Sequence, residues 1–413
     1  QPEYNYAYSY IKTDNPLYRL DKISGRDSSL FDRLPSATSI LATVLDNGNT
    51  YHFTEYQNSH QFNFCYRDLH SKLLKCEISV NLPVRIAHAN LYYQRMGRHD
   101  VSRQSIFFEP NIWLRGNAWE IKTKMNSELP DLTTMVNYRD DSNPMNIILG
   151  NTQLRNIHYY DIEGGKTFEG KKHSRLNINT GYHQTDNAVA YSLVFDKQTG
   201  VSTVQPISVN GNYRMDLGIG YTRPLDKKEK LSIDNQASFN YNHNVDMAMV
   251  QGATQSQRSI VNNWKISNVL KLNYRLDDNY EFTLHGGGTY YLIKSQREGF
   301  NNIHAGDYNI GVNVQVALPW KLQLTTDLTM FARRGYQLSE MNTTDWIWNA
   351  QLSRSFINKK LLVKLQGFDI LRQLSNTQYL MNAQGRTETW NNSIPRYMML
   401  SLSWRFNVNP KKK

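Results

Sequence analysis

The chain has 413 residues, of which 39% are hydrophobic and 12% aromatic, with 26 Tyr, 8 Trp and a net charge of +11. No stretch approaches the ~20 consecutive apolar residues of a membrane helix, and two cysteines are too few to build a disulfide scaffold. The positive charge is spread over turns, strand positions and the tail at Lys411, Lys412 and Lys413 without any nucleic-acid-binding motif, so nucleic acid is not an expected partner.

The dominant signal along the chain is alternation with a period of two, the mark of strands whose two faces meet different surroundings. At the amino end Tyr4, Tyr6, Tyr8 and Tyr10 share one face, and Ser36 to Leu45 and Tyr51 to Arg67 are each a candidate crossing. If Phe62 to Arg67 and Leu74 to Leu82 form a hairpin turning near His70 and Ser71, Cys65 and Cys76 stand opposite one another at disulfide separation. Two unpaired, buried thiols are the alternative, and both readings stay open here. No His, Asp or Glu stands at ligand spacing from either cysteine, so no metal site or cofactor is expected. Trp113 and Trp119 flank a short turn at Arg115, Gly116 and Asn117, as residues of an aromatic girdle do.

From Tyr213 onward the alternation is regular. Tyr213, Met215, Leu217, Ile219 and Tyr221 pair across the turn Pro224 to Glu229 with Leu231, Ile233, Ala237 and Phe239. Trp264, Ile266, Leu270, Leu272 and Tyr274 lead through Asp277, Asp278 and Asn279 to Phe282, Leu284, Tyr290 and Leu292. Gly286, Gly287 and Gly288 lie inside that last strand, where they permit curvature or close packing. Tyr308, Ile310, Val312, Val314, Val316 and Leu318 form the cleanest face, closed by Pro319; Trp320, Leu322, Leu324, Leu328 and Met330 follow outward. Trp346, Trp348, Ala350 and Leu352, then Leu361, Val363 and Leu365, and finally Met398, Leu400, Leu402, Trp404 and Phe406 complete the series.

Counting every segment gives about sixteen or seventeen crossings. Several exceed the ~10 residues that cross a bilayer and should project on one side. Short turns near 114–117, 168–172, 224–229, 276–280, 318–320 and 357–360 alternate with long connections near 126–154, 242–260, 296–305, 335–344 and 371–393. Bacterial barrels keep short turns in the periplasm and long loops outside. The chain therefore reads as all-β, a transmembrane antiparallel up-and-down β-barrel of the large receptor type with about 16–22 strands. One domain, 1–413, is expected in the cell outer membrane, with any export signal before Gln1 removed.

The inward positions Arg214, Asp216, Lys265, Lys271, Arg275, Lys321, Asp327 and Lys364 are the candidate lumen lining. No phosphate-binding loop, nucleophile elbow or zinc-protease motif occurs, and His173, His243, His285 and His304 share no ligand spacing, so no enzyme activity is expected.

Glu128, Leu129, Pro130, Asp131 and Leu132 lead through Asp141, Ser142, Asn143 and Pro144 to Leu149, Gly150, Asn151, Thr152, Gln153, Leu154 and Arg155. This resembles the barrel of TonB-dependent outer-membrane receptors, in which a Pro-Asp-Leu element precedes a Gly-Asn-x-x-Leu element and a strand. Thr152 stands where that family often has Pro. The stretch Phe368 to Leu371 and the ending Trp404, Arg405, Phe406 are similar to receptor-like barrels of the same superfamily, and the resemblance covers residues 100–413. The motif is structural, with Gly150 and Asn151 supplying a tight turn at positive φ and Leu154 opening the next strand.

The resemblance implies import of a bulky nutrient, energised from the inner membrane through a plug domain. No plug is visible, so the chain is either the carboxyl-terminal part of a longer receptor, the preferred reading, or a derivative without its gate. The alternative function is a structural or docking barrel in an envelope assembly; a third is a passive channel. Substrate contact is expected from the long loops, with Tyr379 and Trp390 available for stacking. Expected partners are the lipid bilayer and, through the resemblance, an energy-transducing inner-membrane complex and a surface lipoprotein or other envelope protein.

Overall fold

The structure is a computed structural model that describes residues 1–23, 38–250, 252–336, 338–358, 360–374, 377–381, 386–391, 394 and 396–406. Its strands in chain order are β1 (Pro2–Asn15), β2 (Tyr51–Ser71), β3 (Cys76–Gln94), β4 (Val101–Phe108), β5 (Asn111–Gly116), β6 (Trp119–Glu128), β7 (Arg139–Asp140) and β8 (Asn146–Leu149). Then follow β9 (Ile157–Glu169), β10 (Arg175–Asp186), β11 (Ala188–Phe195), β12 (Ser202–Val209), β13 (Asn212–Pro224), β14 (Leu231–Ala248), β15 (Gln257–Asp277) and β16 (Tyr280–Ser295). The last are β17 (Ile303–Leu318), β18 (Leu322–Arg334), β19 (Thr344–Phe356), β20 (Leu361–Phe368), β21 (Thr377–Met381), β22 (Arg386–Trp390) and β23 (Tyr397–Trp404). Among the described residues no helix is long and apolar enough to cross a membrane.

Among the described residues, seventeen strands form one antiparallel sheet in which neighbours in space follow chain order from β1 to β23. Both β4 and β5 pair with β3, on either side of the break at Glu109 and Pro110, and make one crossing between them. The wall therefore has sixteen crossings, within the range the sequence predicts. Short turns and long connections alternate along it as expected, although β14 and β15 run further than predicted and leave only residues 249–256 between them.

One face of the wall is apolar. In register across it lie Ile219 with Ala237, Leu272 with Leu284, Val312 with Leu284 and Leu328, and Leu400 with Leu365. A row of rings, Tyr182, Tyr213, Tyr241 and Trp264, crosses four adjacent strands with centroids 6.0, 5.8 and 5.1 Å apart. Trp264 and Tyr274 bound the apolar stretch of β15; ten residues at ~3.4 Å each, tilted by ~40°, span ~26 Å. That is the height of a barrel's hydrocarbon belt, and it fixes which face meets lipid.

Among the described residues the wall has no central apolar core. Two small clusters lie on the polar face at the long-loop ends: Ala89, Leu91 and Val101 under Leu132, Met135, Val136 and Leu154, and Val261, Ile293, Ile303 and Ala305 under Phe300 and Tyr336. Each is a place where a long loop bends back over the wall. A second, four-stranded sheet of β11, β12, β8 and β7 joins the loops on that side, with β8 and β12 parallel.

Three expectations are corrected. Thr38–Thr43 is a short helix, so the segment ending at Leu45 contributes no crossing; Ser36 and Ala37 lie outside the described residues. The β2–β3 hairpin turns at 72–75 and not near His70 and Ser71, and a bulge between Tyr66 and Leu69 adds a one-residue shift, placing Cys65 opposite Asn81 and Cys76 opposite Ser71 and Gly116. Both thiols are buried and free, with Cys65 Sγ donating to Asn81 Oδ1 at 3.1 Å. Trp113 is on the polar face, where its Nε1 donates to Glu120 Oε2 at 3.1 Å, so it is not a girdle residue.

Candidate functional site

The polar face of β6, β9, β10, β13 and β14 contains a hollow of about 400 Å³. Alternation dictates its lining: Glu120, Lys122, Glu163, His183, Asp216 and Asn240 occupy the positions between lipid-facing residues of their strands. Gly165, Gly181 and Gly218 leave its floor bare. Most of its charges are compensated in pairs. Lys122 Nζ donates to Glu120 Oε1 at 3.0 Å and Arg214 Nε to Asp216 Oδ2 at 2.7 Å. His183 bridges two carboxylates, with Nδ1 2.6 Å from Asp161 and Nε2 3.4 Å from Asp216.

Of the predicted lumen residues, Asp216 lines this hollow and Arg214 bonds to it from beside the lining. Lys265, Lys271, Arg275, Asp327 and Lys364 share its face further round the wall. Lys265 Nζ lies 5.9 Å above the Tyr291 ring, Arg275 pairs with Glu281 at 2.8 Å, and Asp327 accepts from Asn349 Nδ2 at 2.9 Å. Lys271 stands opposite Asp234 and His285, and Lys364 opposite Ser353 and Ser401. Lys321 is the exception. With Trp320 it forms the left-handed turn between β17 and β18, at φ 64° and 58°, so it sits at the rim and not on the wall.

A second polar cluster, only partly legible in the sequence, lies under the β4–β5 break. Arg85 donates Nε to Glu109 Oε2 at 3.1 Å and Nη2 to Oε1 at 2.6 Å, while its guanidinium covers the Phe107 ring at 4.6 Å. Glu109 also accepts from Ser127 N at 2.8 Å, and these groups line a hollow of about 670 Å³. Arg85 was readable as an inward position of β3; its partner was not, because Pro110 interrupts the pattern beside Glu109.

The residues of the receptor-like motif fold as one piece over the long-loop end of the wall. Pro130 is buried, and Asp131 Oδ1 accepts from Thr133 N at 2.9 Å, starting a single 3₁₀ turn. That turn presents Leu132 and Met135 to Leu91 and Val101, and Leu154 closes the same cluster at 1% exposure. Gly150 is required by contact and not by a positive φ: a Cβ there would lie 1.7 Å from Val136 O. Asn151 N donates to Thr134 O at 2.9 Å, and its Nδ2 donates to Pro206 O at 2.9 Å. Leu154 thus caps a core and does not open β9, which starts at Ile157.

Arg95 ties this piece to the wall. At 1% exposure its guanidinium meets Asp140 Oδ1 at 2.8 Å, Gly48 O at 3.1 Å and the Tyr138 ring at 4.7 Å, and it donates to Asn49 Oδ1. Partial burial raises the Asp140 carboxyl, but hydrogen bonds from Ser142 and the Arg95 guanidinium outweigh it and hold it below the usual carboxylate range. The hairpin β11–β12 locks onto the same piece through β8, and its far edge bonds the next loop: Ser256 N donates to Leu193 O at 2.7 Å and Phe195 N to Thr254 O at 2.7 Å. Across the rim, Tyr336 OH donates to Asp307 Oδ1 at 2.8 Å; burial and that carboxylate push the phenol up.

A ladder of sixteen crossings with a lipid-height apolar belt and interlocked loops on one side matches a family model in two overlapping stretches, residues 45–287 and 254–404. The chain belongs to the outer membrane protein beta-barrel family. It is an outer-membrane protein. No curated protein matches it. Solved structures similar to this outer-membrane barrel include OccK5 (OpdH) of Pseudomonas aeruginosa, at 9% identity and TM-score 0.25 over 98% of each chain. OmpT of Vibrio cholerae, an outer membrane protein in trimer form, is 11% identical with TM-score 0.26 over 95% of this chain and 96% of its own. The β domain of the Bordetella autotransporter BrkA is 8% identical with TM-score 0.22 over 75% and 93%. Likenesses this distant carry no argument about what the barrel does.

Proposed function

We propose that this outer-membrane barrel is the wall of a receptor-like importer of the TonB-dependent kind, through which a bulky solute enters with the help of a plug domain. The observation that carries the reading is the inward-folded piece from Pro130 to Leu154. The residues that resemble the receptor motif are the ones that shape it: Asp131 starts its turn, Gly150 permits its closest backbone approach, and Leu132 and Leu154 seat it on the wall. Such a piece narrows the entrance from the long-loop side, while the polar face beneath offers paired charges that bind hydrogen-bonding solutes without trapping an ion.

The test uses the native full-length protein. Its reading frame should carry a plug domain, the purified protein should show no steady conductance in a planar bilayer, and solute uptake should stop when the inner-membrane energy source is discharged. A frame without a plug together with steady conductance overturns the proposal in favour of a passive channel. The second reading, a docking barrel, draws support from the four-stranded loop sheet, which presents a preformed surface. A stoichiometric complex that survives detergent, with no solute uptake, decides for it.

A further inference from the structure

Asn235 of β14 and Asn268 of β15 project from the lipid-facing side of the wall, in register with Leu270 and Tyr221 and with Ala237 and Gly288 respectively. They bond each other: Asn235 Nδ2 donates to Asn268 Oδ1 at 3.0 Å and to Val269 O at 3.3 Å, and Asn268 Nδ2 donates to Asn235 Oδ1 at 3.2 Å. Counting down their strands from Trp264 and Tyr241, they lie ~10 and ~16 Å below the aromatic row, well inside a belt of ~25 Å. One amide hydrogen of Asn268 and a lone pair on each Oδ1 remain unused there. Hydrocarbon offers nothing to meet them.

Directly beside the amides, Gly286 and Gly288 of β16 leave a depression of about 340 Å³ in the same surface, edged by Leu270, Leu284 and Ile310. Nothing within the chain demands glycine at either place. Neither has a left-handed φ, and an added Cβ would meet no atom closer than 3.6 Å at Gly286 or 3.9 Å at Gly288. The bare backbone therefore makes room for something outside the chain. On the nearby strands β13, β17 and β18 the belt carries larger residues such as Met215, Leu217, Ile219, Val312 and Leu328.

We propose that this patch is a lateral contact between two copies of the chain within the membrane. Small residues that allow close approach, beside amides that bond across the gap, are what holds protein surfaces together in lipid. The second copy follows from complementarity. The patch has both a spare donor and spare acceptors, so a two-fold rotation sets each against its counterpart. Leu284 and Ile310, 47% and 51% exposed, form ridges that fit the partner's depression.

The test uses the full-length protein in outer-membrane vesicles, with Cys65→Ser and Cys76→Ser removing the native thiols. Leu284→Cys should cross-link into a homodimer with a short bis-maleimide, whereas Ile162→Cys, on the same belt but in β9, should not. Native mass spectrometry should show the dimer, and Asn235→Leu with Asn268→Leu, or Gly286→Leu with Gly288→Leu, should weaken it about tenfold or more. Heat-dependent gel mobility serves as the folding control for every variant. A monomer in both measurements, native mass spectrometry of the wild type and cross-linking of Leu284→Cys, overturns the proposal. So does a dimer indifferent to both pairs of substitutions, or cross-linking of Leu284→Cys to a different protein.

Discussion

Arg95 shows how much of the loop architecture can depend on one side chain. Its guanidinium is buried at the meeting point of the 46–50 turn, the end of β3 and the inward-folded piece. Removing one partner of a buried ion pair leaves the other uncompensated. Arg95→Met is therefore expected to lower the unfolding free energy in detergent by about 3 kcal/mol, the low end for buried pairs because Asp140 is partly exposed. The pair is also pH-dependent. Asp140 titrates below the ordinary ~3.9 of an aspartate, so its contribution is complete above that pH and is lost as the pH falls through the lower folded-state value. The stability difference between wild type and Asp140→Asn, measured by chemical unfolding, should be largest near neutrality and vanish in acid. At Gly150 the expected fault is steric: Gly150→Ala drives a methyl into Val136 O and should unseat the piece, exposing Leu132 and Leu154 to proteolysis while the strands persist. The two thiols should label completely with maleimide once the protein is unfolded without reductant, whereas a disulfide would leave them unlabelled.

At the scale of a strand, the solvent that each face meets sets the cost of a substitution. Val312 of β17 lies mid-belt on the lipid face, and its neighbour Asn313 faces Thr283 and Asp327 on the polar side. Val312→Lys should cost ~2–4 kcal/mol, and Asn313→Lys under ~1 kcal/mol, both read from reversible unfolding in lipid vesicles. The same contrast explains which elements were legible in the sequence. From β13 to β20 the alternation is regular because lipid tolerates few polar groups, with Asn235 and Asn268 as departures, so the faces of these strands and the turns at their short ends could be read residue by residue. Where local pattern is not decisive, the reading failed. The β2–β3 hairpin turns at 72–75, past His70 and Ser71, and the bulge at Tyr66 to Leu69 adds one more residue of shift, so the two cysteines do not meet; no residue type announces either feature. Trp113 misleads because a ring beside a turn has the look of a girdle residue, although its face of β5 also carries Asn111 and Arg115. Lys321 fits the alternation of Gln323, Thr325 and Asp327, but β18 begins only at Leu322, after the left-handed turn that holds Lys321.

Across the whole molecule, the site is legible only in part. Arg214 and Asp216 were readable as inward, and Asp161 and His183 could have been, since they alternate with Tyr160, Ile162 and Tyr182. What no local pattern contains is the joining of distant pieces: Arg95 to Asp140, Asn151 to Pro206, Leu193 to Ser256. These contacts join four separate connections, those between β3 and β4, β6 and β9, β10 and β13, and β14 and β15, into one body. The length of β14 and β15 has a consequence of its own. Beyond Tyr241 and Trp264 each continues for seven residues, lifting the 249–256 connection ~18 Å above the row of rings at ordinary strand rise and tilt. That height clears the lipid head groups, so an antibody or a phage approaching the cell from outside meets this stiff ribbon tip before it meets the membrane.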